Sequence, residues 1–344
     1  MRLAGAITAA ALLALVPTAD AATVRVVDRP VGHAEDCPSG VPNCTYAAIE
    51  YRAAAGEANQ LDVAAAGPER TYRLRDDGAD VQPGPGCEPQ GARQVRCTVS
   101  ASARYAELDV FLGDMNDTAT IGVPILDLVK GEAGDDVLTG NDFGNTLNGG
   151  AGRDRLVGGA GPDFLNGGTG TDPDAFVGGG GSDEVDYTDR RSRVKVNLGV
   201  ASYPSGQKGE GDTLDGIEIV RGGRGSDLMR AGNAYALFYG GPGSDRLSAT
   251  MAPASLRGES GNDRLTGGQG RDDLHGEAGD DTLRGGCERD VLDAGSGNDR
   301  IYAADGYPDR VGGGSGTDFA EFDQLDTLRH VERRRALHID GCAL

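Results

Sequence analysis

The sequence predicts an all-β solenoid of stacked short repeats, and three observations carry that expectation. First, a nine-residue phrase, G-G-x-G-x-D-x-U-x with U a large apolar residue, recurs in register through most of the 344 residues. Self-similarity at a fixed short period marks repeat architecture, because one such unit cannot bury its apolar face alone. Second, glycine supplies 57 residues, roughly twice ordinary usage, while Trp is absent and aromatics are 5%, which excludes a large aromatic core. Third, the apolar residue at position eight forms a column through Leu138, Leu147, Leu156, Leu165, Val185, Met229, Phe238, Leu247, Leu256, Leu265, Leu274, Leu283, Leu292 and Ile301. A disordered Gly-rich chain needs no such register.

Residues 1–21 read as a secretory signal: Arg2, an apolar run from Leu3 to Val16, and Ala19-Asp20-Ala21 as an A-x-A cleavage site. The run is shorter than about 18 residues, too short for a membrane span. The product is therefore expected to be secreted and extracellular. Residues 22–108 lack the repeat. Thr23–Val27 and Thr71–Leu74 alternate as half-buried strands, Pro83-Gly84-Pro85-Gly86 marks a turn, and Tyr46–Ala55 is a candidate short helix with poor amphipathic support. This region is expected to be a small β-rich cap.

Residues 109–186 hold the first run. It begins with a weak copy at Leu112–Asp117 and becomes regular at Gly131, and a two-residue insertion carrying Pro173 and Asp174 precedes the copy at Gly178. Residues 187–221 interrupt it: Val194–Leu198 and Ile217–Val220 read as strands around a polar loop, Ser202–Thr213. Residues 222–320 hold the second run, with copies every nine residues from Gly222 to Tyr302, an irregular copy at Ala303–Val311 and a good one at Gly313. The tail, 321–344, carries Arg329 and Arg333–Arg335 and is expected to cap the open end, as solenoids require.

The formal charge of −21 disfavours nucleic acid and anionic membranes as partners. Bound multivalent cations relieve such a charge, and the regular placement of Asp favours that reading. The six cysteines suggest disulfides in an exported chain. Cys37–Cys44 and Cys87–Cys97 are the economical local pairs and Cys287–Cys342 the remainder, although six cysteines allow 15 connectivities.

The chemistry of the phrase lies in its spacing. Glycines permit positive φ and a tight turn, successive turn carbonyls aim inward, and Asp at position six adds a carboxylate. Hard oxygen donors of this kind suit Ca²⁺, which accepts six to eight at flexible geometry, better than Mg²⁺ with its strict octahedron. A lone copy would be read as a solvated turn aspartate. Here nine copies keep G-x-G-x-D, and three more replace only the first of those glycines, by Glu132, Glu259 and Glu277.

On these residues, roughly Leu112 to Ala320, the sequence resembles the RTX, or hemolysin-type, calcium-binding repeat family. The resemblance implies a right-handed parallel β-roll in which two nonapeptides make one turn and calcium sits between Gly-Asp turns on the same edge. Copies 18 residues apart then share an edge. In the second run Asp227, Asp245, Asp263, Asp281 and Asp299 form one complete row, while the other edge has Ala236 and Ala254 before Asp272 and Asp290. In the first run Asp136, Asp154 and Asp172 share one edge, and Asn145, Asp163 and Asp183 the other. The expected metal residues are these aspartates with Asp318, and the turn glycines Gly152, Gly161, Gly170, Gly181, Gly225, Gly243, Gly261, Gly270, Gly279, Gly297 and Gly316. Several calcium ions are the expected cofactors, at affinities near those of extracellular modules, about 10⁻⁴ to 10⁻³ M.

No HExxH and no G-x-S-x-G occurs, and His33, His275, His330 and His338 form no zincin pattern, so no catalytic role is expected. The leading reading is a secreted calcium-binding β-roll, structural or adhesive, that folds with calcium. An accessory module or remnant of a secreted hydrolase is the alternative. A third is an interaction protein whose residues 22–108 bind a partner, with an extracellular protein or polysaccharide as the partner class. The family's one-step exporters use an uncleaved C-terminal signal, so an N-terminal signal departs from its pattern.

Overall fold

The computed structural model describes residues 21–30, 45–67, 70–99, 106–199 and 204–337. The expected signal segment up to Asp20, and His33, Cys37, Cys44, His338 and Cys342, lie outside them. Among the described residues every regular element is a strand. The architecture is a parallel β-solenoid of about 12 turns. A fifteen-stranded sheet runs along one face, from Val81–Pro83 at one end to Thr327–Arg329 at the other. The opposite face carries two nine-stranded sheets, one from Cys87–Pro89 to Thr213–Asp215 and the other from Gly206–Gln207 to Arg333–Ala336.

The register follows from the period. Leu247 pairs with Leu265 and Leu265 with Leu283 on one face, while Phe238 pairs with Leu256 and Leu256 with Leu274 on the other. Each step is 18 residues, so two nonapeptides make one turn. Position eight points inward in every regular copy, and the whole expected column from Leu138 to Ile301 is buried. Phe176 joins it, pairing with Leu156 across the two-residue insertion.

The N-terminal region is built into the same stack. Strand Thr45–Arg52 pairs in parallel with Ala106–Phe111, and Gln60–Ala65 with Thr118–Gly122. One hydrophobic core continues from Ala22 to Val331. The candidate helix at Tyr46–Ala55 is instead strand and turn. Ile49 and Tyr51 enter the core on one side, and on the other Glu50 takes Arg25 (2.8 Å) and Arg29 (2.5 Å) as ionic partners. A period of two wins because both faces have partners. The Tyr51 hydroxyl, with one proton to give, lies 2.8 Å from Asn59 Oδ1 and 2.5 Å from Asp76 Oδ2, so its polar tip is satisfied in the core. Cys87 and Cys97 face each other on antiparallel strands and are joined as a disulfide. Cys287 is disulfide-bonded as well.

The interruption does more than the expected strand–loop–strand. Strand Val194–Asn197 pairs with Leu228–Arg230, which lies ahead of it in the chain, while Thr213–Asp215 pairs back with Ala175–Gly179. The chain skips one rung, returns through Gly206–Gln207, antiparallel to Val194–Asn197, and fills the rung it skipped. This divides one face into two sheets. The other face stays continuous, because Glu184–Asp186 pairs directly with Ile219–Arg221.

Arg190 holds this seam. Its buried side chain ion-pairs with Glu210, whose carboxylate is fully enclosed, and donates to the Gly168 carbonyl at 2.5 Å. The enclosed Tyr187 donates to Asp212 at 3.0 Å beside it. Removing one partner of a buried pair strands the other charge. Arg190→Ala is therefore expected to lower stability by about 3–5 kcal/mol, read by urea unfolding in excess calcium. The double change Arg190→Met with Glu210→Met should recover most of that loss. A single variant as stable as the parent would show that the pair does not hold the seam.

Candidate metal centre

The turns between the two faces bring the position-six aspartates into rows. On one edge of the second run, the backbone N–H of Asp227 donates to Asp245 Oδ1 (2.7 Å), Asp245 to Asp263 (2.7 Å), Asp263 to Asp281 (2.7 Å), Asp281 to Asp299 (2.7 Å) and Asp299 to Asp318 (3.0 Å). The row is closed at its ends by the Val194 N–H on Asp227 and by Glu332 under the Asp318 N–H. The same edge of the first run reads Asp117, Asp136, Asp154, Asp174, Asp212. Asp172, expected in this row, is exposed and lies outside it. The two extra residues lengthen the turn after Gly170, so Asp174 arrives at the buried position.

The other edge is broken as the sequence expects. Asn145, Asp163 and Asp183 follow one another and end on Glu218. Ala236 and Ala254 then occupy the position, both buried. The row resumes from the Ala254 N–H to Asp272, and continues through Asp290 and Asp309 to Asp326. Sequence reading missed Asp117, Asp174, Asp212, Asp309 and Asp326. Asp117 occupies position six of the weak first copy, which is a usable signal. Asp309 lies 19 rather than 18 residues after Asp290, and Asp212 is reached through the chain reversal, so strict periodicity cannot find them.

Most row carboxylates spend one oxygen on this ladder and turn the other inward; Asp227, Asp212 and Asp326 are exceptions, their second oxygens accepting from the Gly223 N–H, the Tyr187 hydroxyl and the Asp323 N–H. Among the described residues, Oδ2 of Asp136, Asp154, Asp163, Asp183, Asp245, Asp263, Asp272, Asp281, Asp290, Asp299 and Asp318 is buried without a hydrogen-bond donor. In the copies that begin with glycine that oxygen lies over the first glycine, next to the carbonyl of the corresponding residue one turn on; the Asp299 copy begins with the buried Ala294 instead. A Cβ on Gly258 would stand 2.3 Å from Asp263 Oδ2 and 2.8 Å from the Gly276 carbonyl; on Gly267, 2.3 Å from both Asp272 Oδ2 and the Gly285 carbonyl. Acceptors thus converge where no donor exists. Glycine keeps that space open, because a side chain would project into it.

The position-four glycines stack carbonyl over Cα. A Cβ on Gly152 would lie 2.2 Å from the Gly134 carbonyl, and the contact is 2.5 Å at Gly181 (to Gly161), 2.2 Å at Gly243 (to Gly225), 1.7 Å at Gly279, 1.9 Å at Gly297 and 1.6 Å at Gly316. Gly161, Gly225 and Gly270 meet the backbone of the neighbouring turn at Phe143, Ser192 and Ala252. Gly170, with the lengthened turn, meets only Asp172 and leaves the stack. At position two, Glu132, Glu259 and Glu277 take φ of 74°, 70° and 73°, so the turn imposes its conformation on side-chain-bearing residues too.

Burial raises the pKa of Asp154, Asp245, Asp263, Asp281 and Asp290, opposed chiefly by the N–H that each carboxylate accepts. Asp263 and Asp281 are pushed up to about 6, Asp245 and Asp154 to about 7, Asp290 to about 8. Asp309, between Asp290 and Asp326, is pushed up to about 9. Among the described residues no three His, Cys, Asp or Glu side chains gather into a metal cluster. The donor set is instead one carboxylate per turn with main-chain carbonyls, an all-oxygen environment that fits Ca²⁺.

Fold and rows together define a β-roll whose turns are built for hard cations. A family model, the RTX calcium-binding nonapeptide repeat, matches residues 127–142, 139–172, 212–234, 257–286 and 275–307. These segments carry the RTX calcium-binding nonapeptide and lie within the solenoid, which supports a calcium-binding β-roll protein. The stretch from 235 to 256, where Ala236 and Ala254 break the second edge, falls between matched segments. No curated protein matches the chain.

Proposed function

We propose that this is a secreted structural or adhesive protein whose array folds with calcium. The orphaned, inward Oδ2 atoms of the aspartate rows carry the reading. The ligands in this proposal are the row aspartates, with Asp174 in place of Asp172, and the glycine carbonyls of the stacked turns. Calcium supplies the positive charge that these facing acceptors lack. The complete edge, Asp227 to Asp318, binds as a continuous series, and the edge with Ala236 and Ala254 binds in two shorter pieces. The role is structural rather than catalytic, because the buried polar groups are spent on stacking the turns. Among the described residues no helix is long and apolar enough to cross a membrane.

Calorimetric titration of metal-free protein with calcium, paired with circular dichroism, tests the coupling. The expected result is several ions bound per chain, with β-structure gained over the same concentration range. A spectrum indifferent to calcium would refute coupled folding. Expression with residues 1–21 intact, followed by sequencing of the exported protein, tests secretion; the expected new N-terminus is Ala22.

A further inference from the structure

The acidic total hides a basic face. On the outer side of the second nine-stranded sheet, the register places Lys195, Arg230, Arg246, Arg264, Arg284 and Arg300 on six successive strands, one cation per strand. All six are exposed. Beyond a strand bearing Phe319 and Glu321, Arg333 and Arg335 continue the series. Glu321 is the one acidic group among these outward positions, and it is paired with Arg335 at 3.0 Å. Among the described residues Lys195, Arg230, Arg246, Arg264 and Arg300 form no ion pair, and Arg284 lies over the Tyr302 ring at 4.0 Å. At the seam end the series opens into a 790 Å³ cleft lined by Arg193, Lys195, Gln207 and Lys208.

We propose that this face binds an extended acidic polysaccharide lying along the roll axis, with one carboxylate per sugar facing one cation per strand. Charge complementarity and spacing carry the assignment. Neighbouring strands are about 4.8 Å apart, so one cation arrives per such interval along the axis, with Lys195, Arg246, Arg264 and Arg300 in one column and Arg230 and Arg284 two residues across the strand. Duplex DNA carries one charge per about 1.7 Å, far denser than this ladder. The face is also only about 10 Å across, three residues of strand, and is flanked by the aspartate rows. A wide, dense polyanion would overlie those rows within about one Debye length, roughly 8 Å; a single extended chain stays on the basic strip. The inference rests on the calcium reading in one respect. Calcium on the rows removes the flanking negative charge, so polysaccharide binding should strengthen as calcium fills them.

The test uses the full chain in calcium, with oligogalacturonate as probe and dextran and duplex DNA as comparisons. One variant carries Arg246→Gln, Arg264→Gln and Arg300→Gln. A second, of equal net charge, carries Arg257→Gln, Arg310→Gln and Arg329→Gln on the opposite face. The expected result is oligogalacturonate binding that weakens about tenfold or more in the first variant, weakens little in the second, and falls with added salt. Absence of binding by protein that circular dichroism shows to be folded in calcium would overturn the polysaccharide inference and leave the calcium reading standing. Equal weakening by both variants, full binding by the first (calcium bridging the probe to the rows), or preference for DNA would also overturn it. Absence of any calcium-induced structure would instead refute the calcium reading, and the expected coupling with it.

Discussion

Metal-free protein at neutral pH is expected to lose the β-roll, and to regain it on acidification. Among the described residues fifteen aspartates keep one buried carboxylate oxygen without a donor. An uncompensated buried charge costs several kcal/mol, while a typical domain has only about 5–15 kcal/mol of stability. Fifteen such charges therefore outweigh the core unless a cation or a proton neutralises them. The folded pKa values of the rows, about 6 for Asp263, about 7 for Asp245 and about 8 for Asp290, lie above the unfolded value of about 3.9. Groups raised in this way support the metal-free fold most fully below pH about 3.9. That support is lost as pH climbs through the raised values. In calcium the dependence reverses. Protons compete for the same carboxylates, so the calcium concentration needed for folding should rise as pH falls from about 7 towards 5. Circular dichroism across this range, with and without calcium, reads both limbs. A metal-free protein that is fully folded at pH 8 would contradict the account.

Among the described glycines, replacing Gly261 by Ala is expected to add the most damaging single methyl group. Gly261 sits in the complete row with φ of 133°, and its Cβ would stand 1.3 Å from the Gly243 carbonyl, a main-chain atom that cannot swing away. The expected cost is about 4 kcal/mol or more, a value reserved for a few mechanisms such as forced backbone strain. Gly91→Ala is the control: φ is similar, at 128°, but nothing lies within 4 Å of the added methyl. It carries only the conformational strain, about 1–3 kcal/mol. Because solenoid turns are stabilised by their neighbours, the Gly261 variant should also weaken calcium binding on both sides of the substitution. Urea unfolding in saturating calcium compares the two. Equal costs would show that close stacking of turns contributes nothing beyond the φ requirement.

Much of this was legible in the sequence, because a nonapeptide writes its geometry locally. Gly258, Asp263 and Leu265 each do one thing in one copy, so turn, carboxylate and core contact follow from spacing alone. Legibility fails wherever the chain departs from that spacing. Asp174 displaces Asp172 because two inserted residues are absorbed inside the turn rather than between copies. The order of Val194–Asn197 and Thr213–Asp215 reverses because pairing with Leu228–Arg230 and Ala175–Gly179 is decided between turns, not within them. Thr45–Arg52 carries no repeat, so its place in the stack depends on a partner, Ala106–Phe111, that is far away in sequence. The cation ladder from Lys195 to Arg300 was hidden for the same reason: positions seven and nine look arbitrary in one copy and align only when the strands are stacked.

The central claim is that calcium lies along the aspartate rows. A crystal structure grown in calcium, with anomalous scattering collected to mark the ions, tests it most directly. The account predicts a continuous file of ions beside Asp227, Asp245, Asp263, Asp281, Asp299 and Asp318, and an interrupted file on the other edge with a gap at Ala236 and Ala254. Ions absent from the complete row, or present equally beside the two alanines, would contradict it.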